Sequence, residues 1–153
     1  MIITPHILAG AAIGSASRSY WLVAILALLS HFIFDVIPHA EYDLPALKRK
    51  IKGRGMLFFD LAKIGVDFSI GFLIIIFLTK NYADLSYILT GMFFGILPDI
   101  FSFLGFVFDF RFLKTLYGYH NAAHIFRNKH VPKWIKYASQ IAVILAAIWV
   151  MVK

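Results

Sequence analysis

Residues 29–39, Leu-Ser-His-Phe-Ile-Phe-Asp-Val-Ile-Pro-His, close a long apolar segment that begins near Tyr20 and put three ionisable groups where a membrane span is normally bare. His31, Asp35 and His39 are spaced i, i+4, i+8, which on a helix keeps them within roughly 80° of one another on one face. An ionisable side chain inside a bilayer costs a few kcal/mol or more, so such groups are rare there and usually functional. His and Asp are also the residue types that hold a divalent metal.

Composition supports a membrane setting. Of the 153 residues 61% are hydrophobic, well above the half or so of a soluble domain, and only 15% are charged. The length fits a single domain, residues 1–153. There is no cysteine, so disulfides and thiolate metal sites are excluded, and a metal must bind through His, carboxylate, backbone or water. The net charge of +7 would suggest nucleic acid in a soluble protein. Here the positive residues flank apolar spans and no nucleic-acid motif is present. Membrane orientation and anionic lipid headgroups explain the charge better. The apolar N-terminal run lacks a basic flank, so it reads as a retained helix rather than a signal peptide.

The pattern predicts an all-α, polytopic helical membrane protein with about five membrane helices. Helix 1 is expected at residues 4–17, with Thr4 as N-cap, Pro5 in the first turn, and a Gly10/Gly14 GxxxG spacing that permits close helix contact. At about 21 Å it is short for a bilayer. Helix 2 is expected at 20–37 and ended by Pro38, helix 3 at 56–79, helix 4 at 85–108 with a break near Leu97-Pro98-Asp99, and helix 5 at 134–152. Residues 40–55 and 109–133 form basic connecting segments. A faint repeat aligns residues 27–35 with 91–99, pairing Asp35 with Asp99.

Of the fifteen Lys/Arg, all but Arg18, Lys80 and Lys153 lie in or beside those two segments: Lys48, Arg49, Lys50, Lys52, Arg54, Lys63, Arg111, Lys114, Arg127, Lys129, Lys133 and Lys136. An up-and-down five-helix order puts both segments on one side, which the positive-inside rule assigns to the cytoplasm. The expected location is a bacterial or archaeal plasma membrane.

The same order brings His6, His31, Asp35, His39, Asp60, Asp67, Asp99, His120 and His124 into one leaflet from separate segments. The candidate metal ligands are His6, His31, Asp35, His39, Asp67, Asp99, His120 and His124, with zinc favoured as one or two ions. A carboxylate left off the metal, Asp67 or Asp99, is the candidate catalytic base. Bland readings stand beside these. Asp35 can glue helices, Asp99 can cap a half-helix, Lys63 can pair with Asp67, and His120 and His124 can sit on an interfacial amphipathic helix. Asp60 and His130 read as solvated interfacial groups.

These elements resemble the family of membrane-bound, metal-dependent hydrolases. Thr4-Pro5-His6…Gly10 is similar to its N-terminal Thr-His…Gly element. Ser30-His31…Asp35 resembles its Ser-His-x-x-x-Asp element, and Pro98-Asp99 and His120…His124 match its Pro-Asp and His…His elements loosely. Phe101 stands where a second Asp is usual, the His pair lacks the fuller family pattern, and the element order differs. The resemblance implies a small helical inner-membrane hydrolase. The expected partners are membrane lipids and a lipid-linked or amphipathic substrate, a phosphoester among the candidates, with no nucleic acid. Transport of a metal ion or protons, and a non-enzymatic scaffold, use the same residues and remain open at this point.

Overall fold

A computed structural model describes residues 2–48, 54–80, 82–108, 110–125 and 130–153. Arg49, Lys50, Lys52, Arg127 and Lys129 of the basic segments lie outside the described residues. Among those described, every regular element is helical: α1 (Ile3–Ala16), α2 (Tyr20–Val36), a single turn α3 (Pro45–Lys48), α4 (Arg54–Leu78), α5 (Leu85–Val107), α6 (Arg111–Ala123) and α7 (Lys133–Val152).

Three helices, α4, α5 and α7, are long and apolar enough to cross a membrane. The apolar helices α1 and α2 have 14 and 17 residues. At 1.5 Å per residue they reach about 21 and 26 Å, short of a core about 30 Å thick. The expected five helices are therefore three of full length and two shorter ones. Large apolar side chains point outward along the longer helices, among them Phe58, Phe59, Leu73 and Phe77 of α4 and Trp134 and Trp149 of α7. A water-exposed surface would not carry such a belt.

The short helix α1 is the centre of the bundle. It packs on α5, α7, α4 and α2, and nearly every residue from Thr4 to Gly14 is buried. Its small residues explain this position. A Cβ on Gly10 would strike the Gly91 carbonyl, and one on Gly91 would strike that of Gly10. Gly14 likewise faces the backbone of Tyr87 and Ile88, and Gly95 faces the His6 carbonyl. The GxxxG spacing of α1 thus meets a second one, Gly91/Gly95, on α5, and the two backbones touch.

Three local expectations change. First, α5 continues through Pro98 rather than breaking there. Proline removes one donor, and in an apolar setting the other backbone groups have no better partner than the helix itself. Second, α1 begins at Ile3, and its N-cap Ile2 makes no side-chain cap bond. Thr4 lies inside the helix, and the free N–H groups are taken by Asp67 from α4. Third, the two basic segments carry helices of their own, α3 and α6.

The two ends of the bundle differ. At one end Arg18 pairs with Asp84 at 2.9 Å and the Lys80 ammonium donates to the Val152 carbonyl. The other end gathers the start of α1, the ends of α2 and α5, α3, α6 and the first turns of α7. That end holds the His and Asp groups.

Candidate metal centre

Asp35, the next-to-last residue of α2, has a completely enclosed side chain. Its Oδ2 lies 3.1 Å from His31 Nε2, 2.9 Å from His120 Nε2 and 3.4 Å from His124 Nε2. Its Oδ1 lies 3.3 Å from His6 Nε2 and 3.8 Å from His39 Nε2. Five imidazoles thus surround one carboxylate.

Each comes from a different local cause. His31 is one helical turn before Asp35 on the same face. His39 leaves the helix: α2 ends at Val36, and Ile37 is extended, as the residue before a proline prefers. The turn is held by α7, where the Ser139 hydroxyl donates to the Pro38 carbonyl at 2.5 Å and Gln140 Nε2 donates to the Ala40 carbonyl at 2.7 Å. His6 sits in the first turns of α1 and stacks on His31 with ring centroids 4.0 Å apart. His120 ends α6, and His124 follows at its C-cap.

Their back nitrogens determine what the front ones can do. His31 Nδ1 lies 2.7 Å from the Gly95 carbonyl and His39 Nδ1 lies 2.7 Å from the Ile37 carbonyl. A carbonyl only accepts, so both Nδ1 atoms carry hydrogen. The Ser102 hydroxyl donates to the Pro98 carbonyl at 2.9 Å and accepts from His120 Nδ1 at 2.5 Å. In the neutral rings the three Nε2 atoms therefore present lone pairs. Yet His31 Nε2 and His120 Nε2 are 3.1 Å apart and both face the Asp35 carboxylate. Acceptor against acceptor at full burial is unfavourable unless a proton or a metal ion lies between them. Imidazoles that ligate metals have their second nitrogen fixed in this way.

Three overlapping sets of side chains bring their ligand atoms within 4.8 Å of one another: His6, His31 and Asp99; His31, Asp35 and His120; and Asp35, His39 and His124. These residues can hold a metal ion. Two further buried atoms fit that reading, since His6 Nδ1 and Asp99 Oδ2 have no hydrogen-bond partner among the described residues. Asp99 Oδ1 approaches His120 Nε2 at 3.7 Å.

Asp67 is placed elsewhere and joins none of these sets. Its Oδ2 accepts from the Ile3 and Thr4 amides at 2.6 and 3.0 Å and from the Tyr42 hydroxyl. Its Oδ1 accepts from the Thr4 hydroxyl at 2.6 Å. A carboxylate at a helix N-terminus satisfies free amides and the positive end of the dipole. Burial, and then the bond to Asp67, push the Tyr42 phenol above its ordinary pKa. Asp60 plays a related part, accepting from the Ala46 and Leu47 amides at 2.9 and 3.2 Å, so it is a buried cap of α3 rather than a solvated group. His130 is exposed.

Glu41 was not singled out from sequence. Its Oε1 lies 3.5 Å from His124 Nδ1 and 3.9 Å from His39 Nε2. Its one linear signal is its place two residues after His39. Ser102, Gln140 and Ser139 carry no linear signal, since they act through helices packed on the site. Burial also pushes His39 below the ordinary imidazole pKa, which favours its neutral, ligating form.

A cavity of about 430 Å³ adjoins the cluster. Glu41, Asp99, His120 and His124 reach it, and its other walls are largely apolar side chains of α3, α4 and α5. The chain matches no family model, no curated protein and no solved structure.

Proposed function

We propose that this protein is a membrane-embedded, metal-dependent hydrolase acting on a lipid-linked or amphipathic substrate, with a phosphoester the favoured bond. The observation that carries the reading is the set of Nδ1-anchored imidazoles whose Nε2 atoms converge on Asp35, with His120 and His124 also lining the cavity. Packing alone does not call for lone pairs aimed at one another. Zinc is the favoured ion, because the donors are imidazole and carboxylate without thiolate. When bound, such an ion would polarise the scissile group and acidify a water.

The protein residues then divide the work. His31, His120 and Asp35 hold the ion, with His39 and His124 across the carboxylate for a second ion. Gly95, Ile37 and Ser102 fix the ring orientations. Asp99 is the proposed base, because one of its oxygens reaches toward His120 while it lines the cavity. Asp67, committed to the α1 N-terminus, is assigned no catalytic part. Hydrolysis adds water across the ester, so the proton taken by Asp99 is the one returned to the leaving oxygen.

In the proposed topology all five apolar helices insert, and the basic segments face the cytoplasm. α6 lies in the interface, with Phe112 and Tyr119 outward beside Arg111 and Lys114. A helix broken at Pro98 and a repeat pairing Asp35 with Asp99 are features that transporters use; α5 is continuous, so the first of these is lost.

The test is metal analysis of detergent-purified protein joined to a phosphoester-lipid hydrolysis assay with zinc added back. Wild type should hold one or two divalent ions and turn over substrate, and His31→Ala should lose both. A metal-loaded protein inert toward carboxylic and phosphoric esters of lipids would sink the hydrolase reading. A protein that takes up no metal would sink the metal centre itself.

A further inference from the structure

The cavity raises a question that the metal centre does not answer: what fills an apolar chamber built next to a polar cluster. Leu44, Leu47, Leu61, Ile64, Phe68 and Phe103 form much of its wall. Among the described residues its charged lining groups are Glu41 and Asp99, which stand beside His120 and His124. The chamber is thus amphipathic, with apolar walls leading to a polar patch where the metal ligands are.

Its construction leaves a side entrance. α4 leans on α1, α3 and α7, whereas α6 packs on α5 and α2. The cavity separates α4 from the α5–α6 pair, and residues of all three line it. At the edge, on α4, lie exposed Leu61 and exposed Gly65. A Cβ on Gly65 would meet nothing within 4 Å, so the glycine is not there for close packing of helices. Open space lies beside it, on a helix whose outer face is apolar. A chain entering from the bilayer there need not cross water.

We propose that this cavity seats the alkyl chain of a single-chain lipid, which enters sideways between α4 and the α5–α6 pair and brings its polar group to His120 and His124. The substrate class is narrowed accordingly, and that part rests on the hydrolase reading; the seating of the chain does not. A volume of about 430 Å³ lies toward the lower end of the roughly 300–1,000 Å³ of small-molecule pockets, which suits one chain rather than two.

The test uses the full chain in nanodiscs and a lysophosphatidylcholine bearing a diazirine at mid-chain. After photolysis, adducts are mapped by mass spectrometry. Adducts should fall on the α4 stretch 61–68 and on Phe103 and Phe106. Gly65→Trp, which fills the entrance, should cut them at least tenfold. Gly118→Trp, at another exposed glycine with nothing within 4 Å, should leave them unchanged. A two-chain phosphatidylcholine with the same diazirine should label outward residues such as Phe59 and Phe77 instead. Equal cavity labelling by the two-chain probe, or undiminished labelling in Gly65→Trp, overturns the proposal and makes the groove an ordinary lipid contact. His31→Ala should label like wild type. Cavity labelling without any hydrolysis would end the hydrolase reading and leave the chain site standing. Hydrolysis without cavity labelling would do the reverse.

Discussion

Two aspartates at the same end of the bundle, Asp35 and Asp67, show how environment assigns a carboxylate its role. Asp67 is met by donors: two backbone amides, a threonine hydroxyl and a phenol. Its charge is neutralised by hydrogen bonds and by the start of α1, and it needs nothing else. Asp35 is met by imidazole nitrogens, three of them from rings whose hydrogen is already engaged on the far side. Those three neutral rings offer it lone pairs rather than donors. One carboxylate is met by donors alone; the other stands among imidazoles that can share a metal ion with it.

The largest effect that could break this contrast is metal removal. At a free ion concentration 1,000 times Kd, binding adds about 4 kcal/mol. At about 2–4 °C per kcal/mol for a chain near this size, chelation should lower Tm by about 10 °C. Readdition of zinc should restore it, and Asp35→Ala should abolish the response. An unchanged melt after metal is shown to have left would make both aspartates structural.

Next in size is the loss of the α1 cap. Asp67→Ala strands the Thr4 amide and leaves the Ile3 amide only the Tyr42 hydroxyl at 3.2 Å, and an unsatisfied buried donor costs about 1–3 kcal/mol. Tm should fall while metal stoichiometry by elemental analysis stays at the wild-type value. If Asp67→Ala loses metal as Asp35→Ala does, the two carboxylates belong to one centre and the contrast fails.

A smaller effect sharpens it. Ser102→Ala removes the acceptor that sets His120, and support of that kind is worth about tenfold or more in metal affinity. Competition with a chromogenic chelator should show that loss, with the melt of the metal-free protein little changed. An unaltered affinity would mean that the tautomer of His120 is not held by Ser102. The smallest effect is the control. His130→Ala, at an exposed position, should leave metal content unchanged and stability within about 0.5 kcal/mol.

Much of the architecture was legible because membrane helices are local objects. Apolar runs and their length placed α1, α2, α4, α5 and α7 within a residue or two. Gly10/Gly14 announced a close crossing, though not that Gly91/Gly95 would be its partner. Pro98 misled because proline's local preference yields where the rest of a helix has no alternative partner for its backbone. The turn α3 was hidden in a basic stretch whose polarity reads as loop, whereas the i, i+4 spacing of His120 and His124 already pointed to a helix where α6 lies.

By itself the sequence determined that the chain is an all-helical protein of apolar spans, and that His and Asp at i, i+4 spacing face one side of α2. Helical periodicity is enough for both. Only the tertiary structure decided which carboxylate is which. Asp35 and Asp67 look alike in the chain, each an acid within an apolar run. Their difference arises from groups 60 to 90 residues away that packing brings to them: α1 amides for Asp67, and His120, with Ser102 behind it, for Asp35. The pairing of a lone pair with a donor or with another lone pair is a property of the assembled bundle, and no spacing within one segment encodes it.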